Sequence, residues 1–513
     1  MWLLPIVETK CISSSMSRIF LLVLFLGLSI APSEAQQTIE GYVYSDVNRN
    51  GRRDRQEAGI AGIPVSNGKD VVLTNDKGKY KLRLAEGFSV FPILPSDYTL
   101  STGKVVNSHF RVSFKKGEGS PDFGLRRKAV KQQFRLNAIG DVQVGNYQEL
   151  DYAAKTLWPE LLNTDSTDVN LFLGDLVNNN LSLHSKLKEM MELLPSQTWT
   201  VIGNHDRDAD SIRRGQTKTY STIFGSDVYA FNEGKVHFIV LNNVYGDGAK
   251  GYHGELPEEA LEFVKNDIRL VPQDYLICLS MHIPLAMTKN RNALLDILKD
   301  RKEVLAITGH LHRVMRFFYG RPGVHVHELG AGATCGFWWV GEKDWEGVPT
   351  ALQQGGTPRN YFVLDFTGNS YSLRCKGVGL DAHRQMSIHV TGIDTLDTHL
   401  RDMEGTAPYQ ALLTIWGGCD STEVKCRVDG GAWMMARKTD AIDPNVARMR
   451  EMNLQKVYPT RYNRVNPMRR TPSPQLWTFP LPESARSGAH RIEVQASDGY
   501  GFRASGQRVF VYE

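Results

Sequence analysis

Five short pieces of this chain carry Asp, Asn, Gln and His in patterns that suit a cation. They are Gly140-Asp141-Val142-Gln143, Gly174-Asp175, Gly203-Asn204-His205-Asp206, Met281-His282-Ile283-Pro284 and Gly309-His310-Leu311-His312. Carboxylate and carboxamide oxygens with imidazoles are donors that borderline divalent cations such as Mn, Fe or Zn accept. Two such ions, roughly 3.5–4 Å apart, suit an in-line displacement at phosphorus. One Asp or His at a strand end is ordinarily a cap or a satisfied polar group. Five such pieces, all at strand ends, are not ordinary.

The elements that must position them are strands. Each piece follows an apolar run: Phe134–Ile139, Val169–Leu173, Trp199–Ile202, Tyr275–Leu279 and Val304–Ile307. Short apolar runs bounded by Gly or polar residues read as buried strands. Each strand then delivers its polar group at its carboxyl end, where open α/β sheets hold ligands. Tyr147–Leu162, Leu181–Leu194 and Pro257–Leu270 show helical apolar spacing, and Val236–Leu241 is a further strand. The alternation implies an α/β fold, a layered β-sandwich flanked by helices. Tyr361–Phe366 and Ser370–Lys376 read as a hairpin that closes this domain at about residues 128–378.

In order and content these pieces resemble the motifs of the calcineurin-like metallophosphoesterase family. The resemblance implies that Asp141, Asp175 and His312 hold a first metal. It implies that Asp175 bridges to a second, completed by Asn204, His282 and His310. His205 resembles that family's non-ligand histidine beside the substrate, oriented by the following acid, Asp206. One position departs: the family's first motif is Asp-x-His, and this chain has Gln143. A Gln amide oxygen is a weaker, neutral donor than imidazole. Either Gln143 ligates, at a site that binds more weakly or prefers Mn or Mg over Zn and Fe, or it does not ligate. The implied chemistry is hydrolysis of a phosphate ester by a metal-bridging hydroxide, with His205 serving the leaving oxygen.

Composition agrees with a globular protein: 41% hydrophobic and 23% charged residues. A net charge of +4 is too small to argue for a nucleic-acid or anionic-membrane partner. Six cysteines in 513 residues make no disulfide framework, though Cys419 and Cys426 are spaced for a hairpin bridge. Ser17-Arg18, the apolar run Ile19–Ile30 and Ser33-Glu34-Ala35 read as a secretory signal over residues 1–35. Met16 offers an alternative start. The expected protein is secreted or periplasmic, with no later transmembrane segment.

Residues 36–127 read as a small β domain containing Thr38–Tyr44, Val71–Thr74 and Tyr80–Leu84. Within it, Asp46, Asn48, Asn50, Asp54 and Glu57 occupy positions 1, 3, 5, 9 and 12 of a calcium loop, with Gly51 at 6. Flanking strands argue against an EF-hand. The arrangement resembles calcium-stabilised β repeats of bacterial surface adhesins; the other reading is a polar turn. Residues 379–513 read as a second β domain, a sandwich of Ala411–Trp416, Glu423–Val428, Trp433–Arg437, His490–Ala496 and Arg503–Tyr512. The stretch Asp443–Pro474 has no assigned element. This layout resembles a secreted bacterial subfamily with N- and C-terminal β domains.

Two features bear on substrate. Trp338 and Trp339, in Cys335-Gly336-Phe337-Trp338-Trp339, either stack on an organic group or plug a domain joint. Arg207, Arg213, Arg214 and Arg313 lie close in sequence to the metal motifs and suit phosphate, or are surface charges. Two rivals remain. A phosphodiesterase or pyrophosphatase differs from a monoesterase only in the pocket around the second ester group. A non-catalytic metal-binding surface protein has no need of His310, His312 and His205 together.

Overall fold

The computed structural model describes residues 37–513, apart from 85–88, 102, 113–120, 164–166, 210, 212, 248–250, 395–406, 455–467 and 470. The expected signal segment and Cys11 lie outside the described residues, as do parts of the 443–474 stretch.

Two sheets face each other in the central region. The first has the order Gln197–Thr200, Val169–Phe172, Gln133–Ile139, Asn360–Thr367, Ser370–Gly377. Its first three strands are parallel; Asn360–Thr367 runs antiparallel to them, and Ser370–Gly377 turns back beside it to complete the closing hairpin. The second has the order Tyr229–Glu233, Val236–Val240, Leu276–Ser280, Glu303–Thr308, Val324–Ala331, Val314–Arg321. Its middle four strands are parallel. Val169–Phe172 and Leu276–Ser280 are buried at every residue, as parallel strands covered on both faces must be. Phe134 stacks on Phe366 and Phe231 on Phe238, and where the sheets meet Phe238 contacts Phe366 edge to face.

Helices cover the outer faces. Tyr147–Leu162 starts at Asn146, whose side chain accepts the Glu149 N–H, and Glu149 reaches back to the Gly145 N–H. This reciprocal capping fixes the turn after Asp141. Leu181–Leu194 is a 3₁₀ turn, Leu181–Leu183, running into the helix His184–Glu192. Pro257–Leu270 likewise ends in 3₁₀ geometry after the helix Glu258–Asp267.

The N-terminal β region is two four-stranded sheets docked on the central sheets. Phe91 packs on Phe263, and Phe110 on Trp199 and Tyr229. Buried Asn107 donates to Thr200 Oγ1 at 2.8 Å. The C-terminal region is two further four-stranded sheets. The expected strand Trp433–Arg437 is instead two short pieces, Met434–Met435 and Arg437–Lys438, which join opposite sheets. The chain crosses between layers there, so one continuous strand cannot form. Cys419 and Cys426 are both free, buried thiols, so the spacing does not produce a bridge.

The described part of the unassigned stretch begins with the helix Pro444–Leu454. Asp443 caps it by accepting the Asn445 N–H at 2.8 Å, and Pro at the first helical position costs no hydrogen bond. Val446 and Met468 pack on Phe337. The stretch therefore backs the Trp-rich segment. Among the described residues, no helix is long and apolar enough to cross a membrane.

Candidate metal centre

The carboxyl ends of both central sheets converge, and the five pieces meet there. Two overlapping groups of donors form, Asp175 with His282 and His310, and Asp141 with Asp175 and His312. Within each group the ligand atoms lie within 4.8 Å of one another. Asp175 belongs to both. Asn204 Oδ1 lies 3.0 Å from His282 Nε2 and 2.9 Å from His310 Nδ1.

Backbone geometry sets this arrangement. Asp141, Gln143, Asp175, His310 and His312 all have positive φ, between 38° and 77°. Each such residue costs on the order of 1–3 kcal/mol unless its surroundings impose it. The glycines make room. A Cβ on Gly203 would lie 2.1 Å from the Asp175 nitrogen, and one on Gly309 would lie 2.7 Å from Asp141 Oδ2.

Hydrogen bonds around the site aim the imidazoles. His282 Nδ1 donates to the Leu173 carbonyl at 2.8 Å, and His312 Nδ1 to the Gly336 carbonyl at 2.6 Å. Each bond leaves Nε2 facing the site, as ligating histidines require. Burial pushes the His310 pKa down to about 3 and that of His312 down to about 4, so both are neutral ligand forms at pH 7. Burial and then the Asp175 charge push the Asp141 carboxyl up, although His282 opposes this. Burial pushes His282 down, but the Asp175 carboxylate 3.2 Å away outweighs it and raises the His282 pKa to about 9, so one imidazolium faces two buried carboxylates. Divalent cations fit this donor set and would take over that counter-charge.

His205 stands apart from the ligand atoms. Its N–H donates to Asp175 Oδ1 at 2.8 Å, and its Nδ1 lies 3.0 Å from Asn179 Oδ1. Asp206 does not orient it. Asp206 is fully buried and turned inward. It accepts the N–H groups of Leu176, Val177 and Gly203 at 2.8–3.1 Å, and His184 Nε2 at 3.0 Å. A carboxylate clamping three backbone donors locks two motif turns together; the imidazole partner is Asn179 instead. Neither role was legible beforehand. Asn178-Asn179-Asn180 gives no hint which Asn turns inward, and His184 is a single helix residue.

Gln143 donates its backbone N–H to the Asp175 carbonyl at 2.8 Å. Its amide oxygen faces Cys335 Sγ at 3.7 Å, and its Nε2 is buried with no hydrogen-bond partner. Amide oxygen and nitrogen are interchangeable in shape. A half-turn would therefore put an acceptor at the unsatisfied position.

The two tryptophans divide. Trp338 is 39% exposed, and its ring lies 4.9 Å from that of His312. Trp339 is 2% exposed, donates Nε1 to the Val142 carbonyl at 3.0 Å and packs on Tyr152 and Arg359. Trp339 is a core plug with no surface for substrate. Arg207 is buried, with Nε donating to the Asn204 carbonyl at 3.1 Å and its guanidinium over Tyr252. Tyr252 in turn lies against the His310 ring, 6.0 Å away; nothing in its sequence neighbourhood pointed to this. Arg313 is half-buried with its stem against Gly355. The side chains of Arg213 and Arg214 lie outside the described set.

Three family models match the chain. They are described as the N terminal of calcineurin-like phosphoesterase over residues 47–128, calcineurin-like phosphoesterase over 134–314, and the C terminal of calcineurin-like phosphoesterase over 328–503. The chain belongs to the calcineurin-like phosphoesterase family, and it is a metal-dependent phosphoesterase. Among solved structures it is similar to a purple acid phosphatase from yellow lupin (Lupinus luteus) seeds, with 12% identity and a TM-score of 0.34, covering 66% of this chain and 67% of that one. It is also similar to Vps29 from Chaetomium thermophilum, with 15% identity and a TM-score of 0.23, covering 47% and 88%. No curated protein matches.

Proposed function

We propose that this chain is an exported hydrolase of phosphate esters that works with two divalent ions, on substrates carrying a flat organic group. The observation that carries the two-ion reading is the sharing of Asp175 between both donor groups. Asp141, Asp175 and His312 would hold one ion; Asp175, Asn204, His282 and His310 would hold the other. When bound, such a pair acidifies a water and draws charge off the phosphoryl oxygens.

The chain's own residues do the rest. Asn179 Oδ1 accepts the His205 Nδ1–H and fixes the ring, so that the doubly protonated imidazole can give its Nε2 proton to the leaving oxygen and end neutral. Asp206 and His184 hold the turns that present Asn204 and Asp175. Trp338 offers a partly exposed aromatic face beside the His312 ring, suited to stacking on the organic part of the ester. Export rests on the signal-like residues 1–35. The test is manganese-dependent hydrolysis of paired chromogenic phosphate mono- and diesters, with Asp175→Asn as the blank. A preference for one ester assigns the reaction class. Equal rates in Asp175→Asn and the native protein would sink the reading.

A further inference from the structure

The loop between the first two strand segments of the N-terminal region is not used by this chemistry. It runs from Asp46 to Glu57, and its side-chain oxygens bind the loop's own N–H groups. Asp46 Oδ2 accepts the Gly51 N–H at 3.0 Å, which draws the chain into a ring. Asn48 Oδ1 accepts the Asn50 N–H at 3.1 Å, and Asn50 Oδ1 accepts the Arg52 N–H at 2.8 Å. Glu57 closes the ring, its two oxygens accepting the N–H groups of Val47 and Asp54 at 3.0 Å each. The Asn48 and Asn50 amides both reach Asp54 Oδ2, at 2.7 and 3.0 Å.

A second observation asks for a ligand. Asp46 is fully buried, and its Oδ1 has no hydrogen-bond partner. The hydroxyl of Tyr44, also fully buried, has none either. The two side chains border one space: a Cβ on Gly124 would lie 2.9 Å from Tyr44 Oη and 3.0 Å from Asp46 Oδ2. A buried carboxylate oxygen without a donor is costly unless a cation meets it.

We infer that Asp46–Glu57 is a calcium site that fastens the first strand of the N-terminal β region to its last. Every side-chain donor is an oxygen, the final one is a carboxylate able to bind through both oxygens, and the loop is pliable. Those are the demands of calcium, whereas magnesium needs a rigid octahedron. The Asp46 N–H donates to the Leu125 carbonyl at 3.0 Å, so the ion anchors the strand Phe123–Arg127 just before the catalytic region. Arg49, Arg52, Arg53 and Arg55 line the exposed rim, and Arg53 lies over Tyr42. Their charge weakens the site toward the range of about 10⁻⁴–10⁻³ M found in extracellular modules. The loop has no nucleophile or base, so its role is structural and independent of the phosphoesterase reading.

The experiment uses the whole chain carrying Asp175→Asn, which disables the phosphoesterase centre. Calcium chloride alone is titrated by calorimetry, with the thermal midpoint followed in parallel. One calcium per chain and a rise in Tm are expected. Adding Glu57→Gln or Asp46→Asn should weaken binding by about tenfold or more, because affinity follows ligand charge, and should abolish the Tm rise. If Asp46→Asn does not fold, Glu57→Gln alone decides. Unchanged binding in Glu57→Gln, no calcium bound at all, or an equal response to magnesium chloride overturns the inference.

Discussion

Two regions of this molecule gather donors for cations, and they do so in opposite ways. The loop Asp46–Glu57 is local: twelve consecutive positions with oxygen donors only, exposed between its two buried end carboxylates, Asp46 and Glu57. The phosphoesterase centre draws its donors from positions 141 to 312, mixes carboxylates with imidazoles and is mostly buried. The local loop closes through its own backbone N–H groups. The central site is held in left-handed backbone conformations that only the surrounding sheets can impose. A site that must place reacting atoms is built on rigid strands; a site that only fastens a fold can be built from one turn.

That contrast can be broken at Asp206. If the central site depends on rigid support, Asp206→Ala should cost about 3–5 kcal/mol of stability by stranding three backbone donors and His184. A urea midpoint equal to the native value would show that the turns need no such support. A smaller effect is expected from His205→Ala. The turnover rate should fall about 10²-fold with metal content unchanged, and the loss should shrink for esters with a better leaving group. Loss of metal instead would make His205 a ligand.

The join between central and C-terminal regions supplies a gentler test. Arg316 is buried, donating to Asp498 at 2.5 Å and through Nε to His327 Nε2 at 3.0 Å. Burial and then the Arg316 charge push the His327 pKa down to about 3. Burial raises that of Asp498, but Arg316 more than offsets it and leaves it below the ordinary range. Both folded values are depressed, so their contribution is present at neutral pH and lost on acidification. For His327 the loss begins below about pH 6.5 and runs toward pH 3; for Asp498 it begins below about pH 4. Stability should fall by at most about 1.4 kcal/mol per pH unit from His327, and His327→Gln should flatten that slope between pH 6 and 4.5. The smallest effect is expected at Trp338. Trp338→Ala should raise KM for an aromatic ester by several-fold, on the order of 1 kcal/mol, and leave an alkyl ester unaffected.

The sequence made the central strands legible, and with them Asp141, Asp175, His282, His310 and His312, with Asn204 beside them, because apolar runs and strand-end motifs are local signals. Tyr147–Leu162 was readable to its last residue, since its cap and apolar stripe lie within the same stretch. What was not legible depends on contacts across the chain. Asp206 follows His205 in sequence, yet its side chain turns toward Leu176, Val177 and His184. Trp338 and Trp339 are neighbours with the same side chain, and two successive positive φ values send one to the surface and one inside. The helix Pro444–Leu454 carries only a weak apolar stripe, and it gains its place by packing on Phe337. Whether Cys419 and Cys426 meet depended on strand pairing that spacing alone does not reveal.

The central claim is that Asp175 belongs to two cation sites at once. Counting manganese ions bound per chain, with calcium in excess to saturate the N-terminal loop, tests it most directly. Two are expected in the native protein, one in His312→Ala, one in His282→Ala, and none bound tightly in Asp175→Asn. Two tightly bound manganese ions in Asp175→Asn would contradict the account.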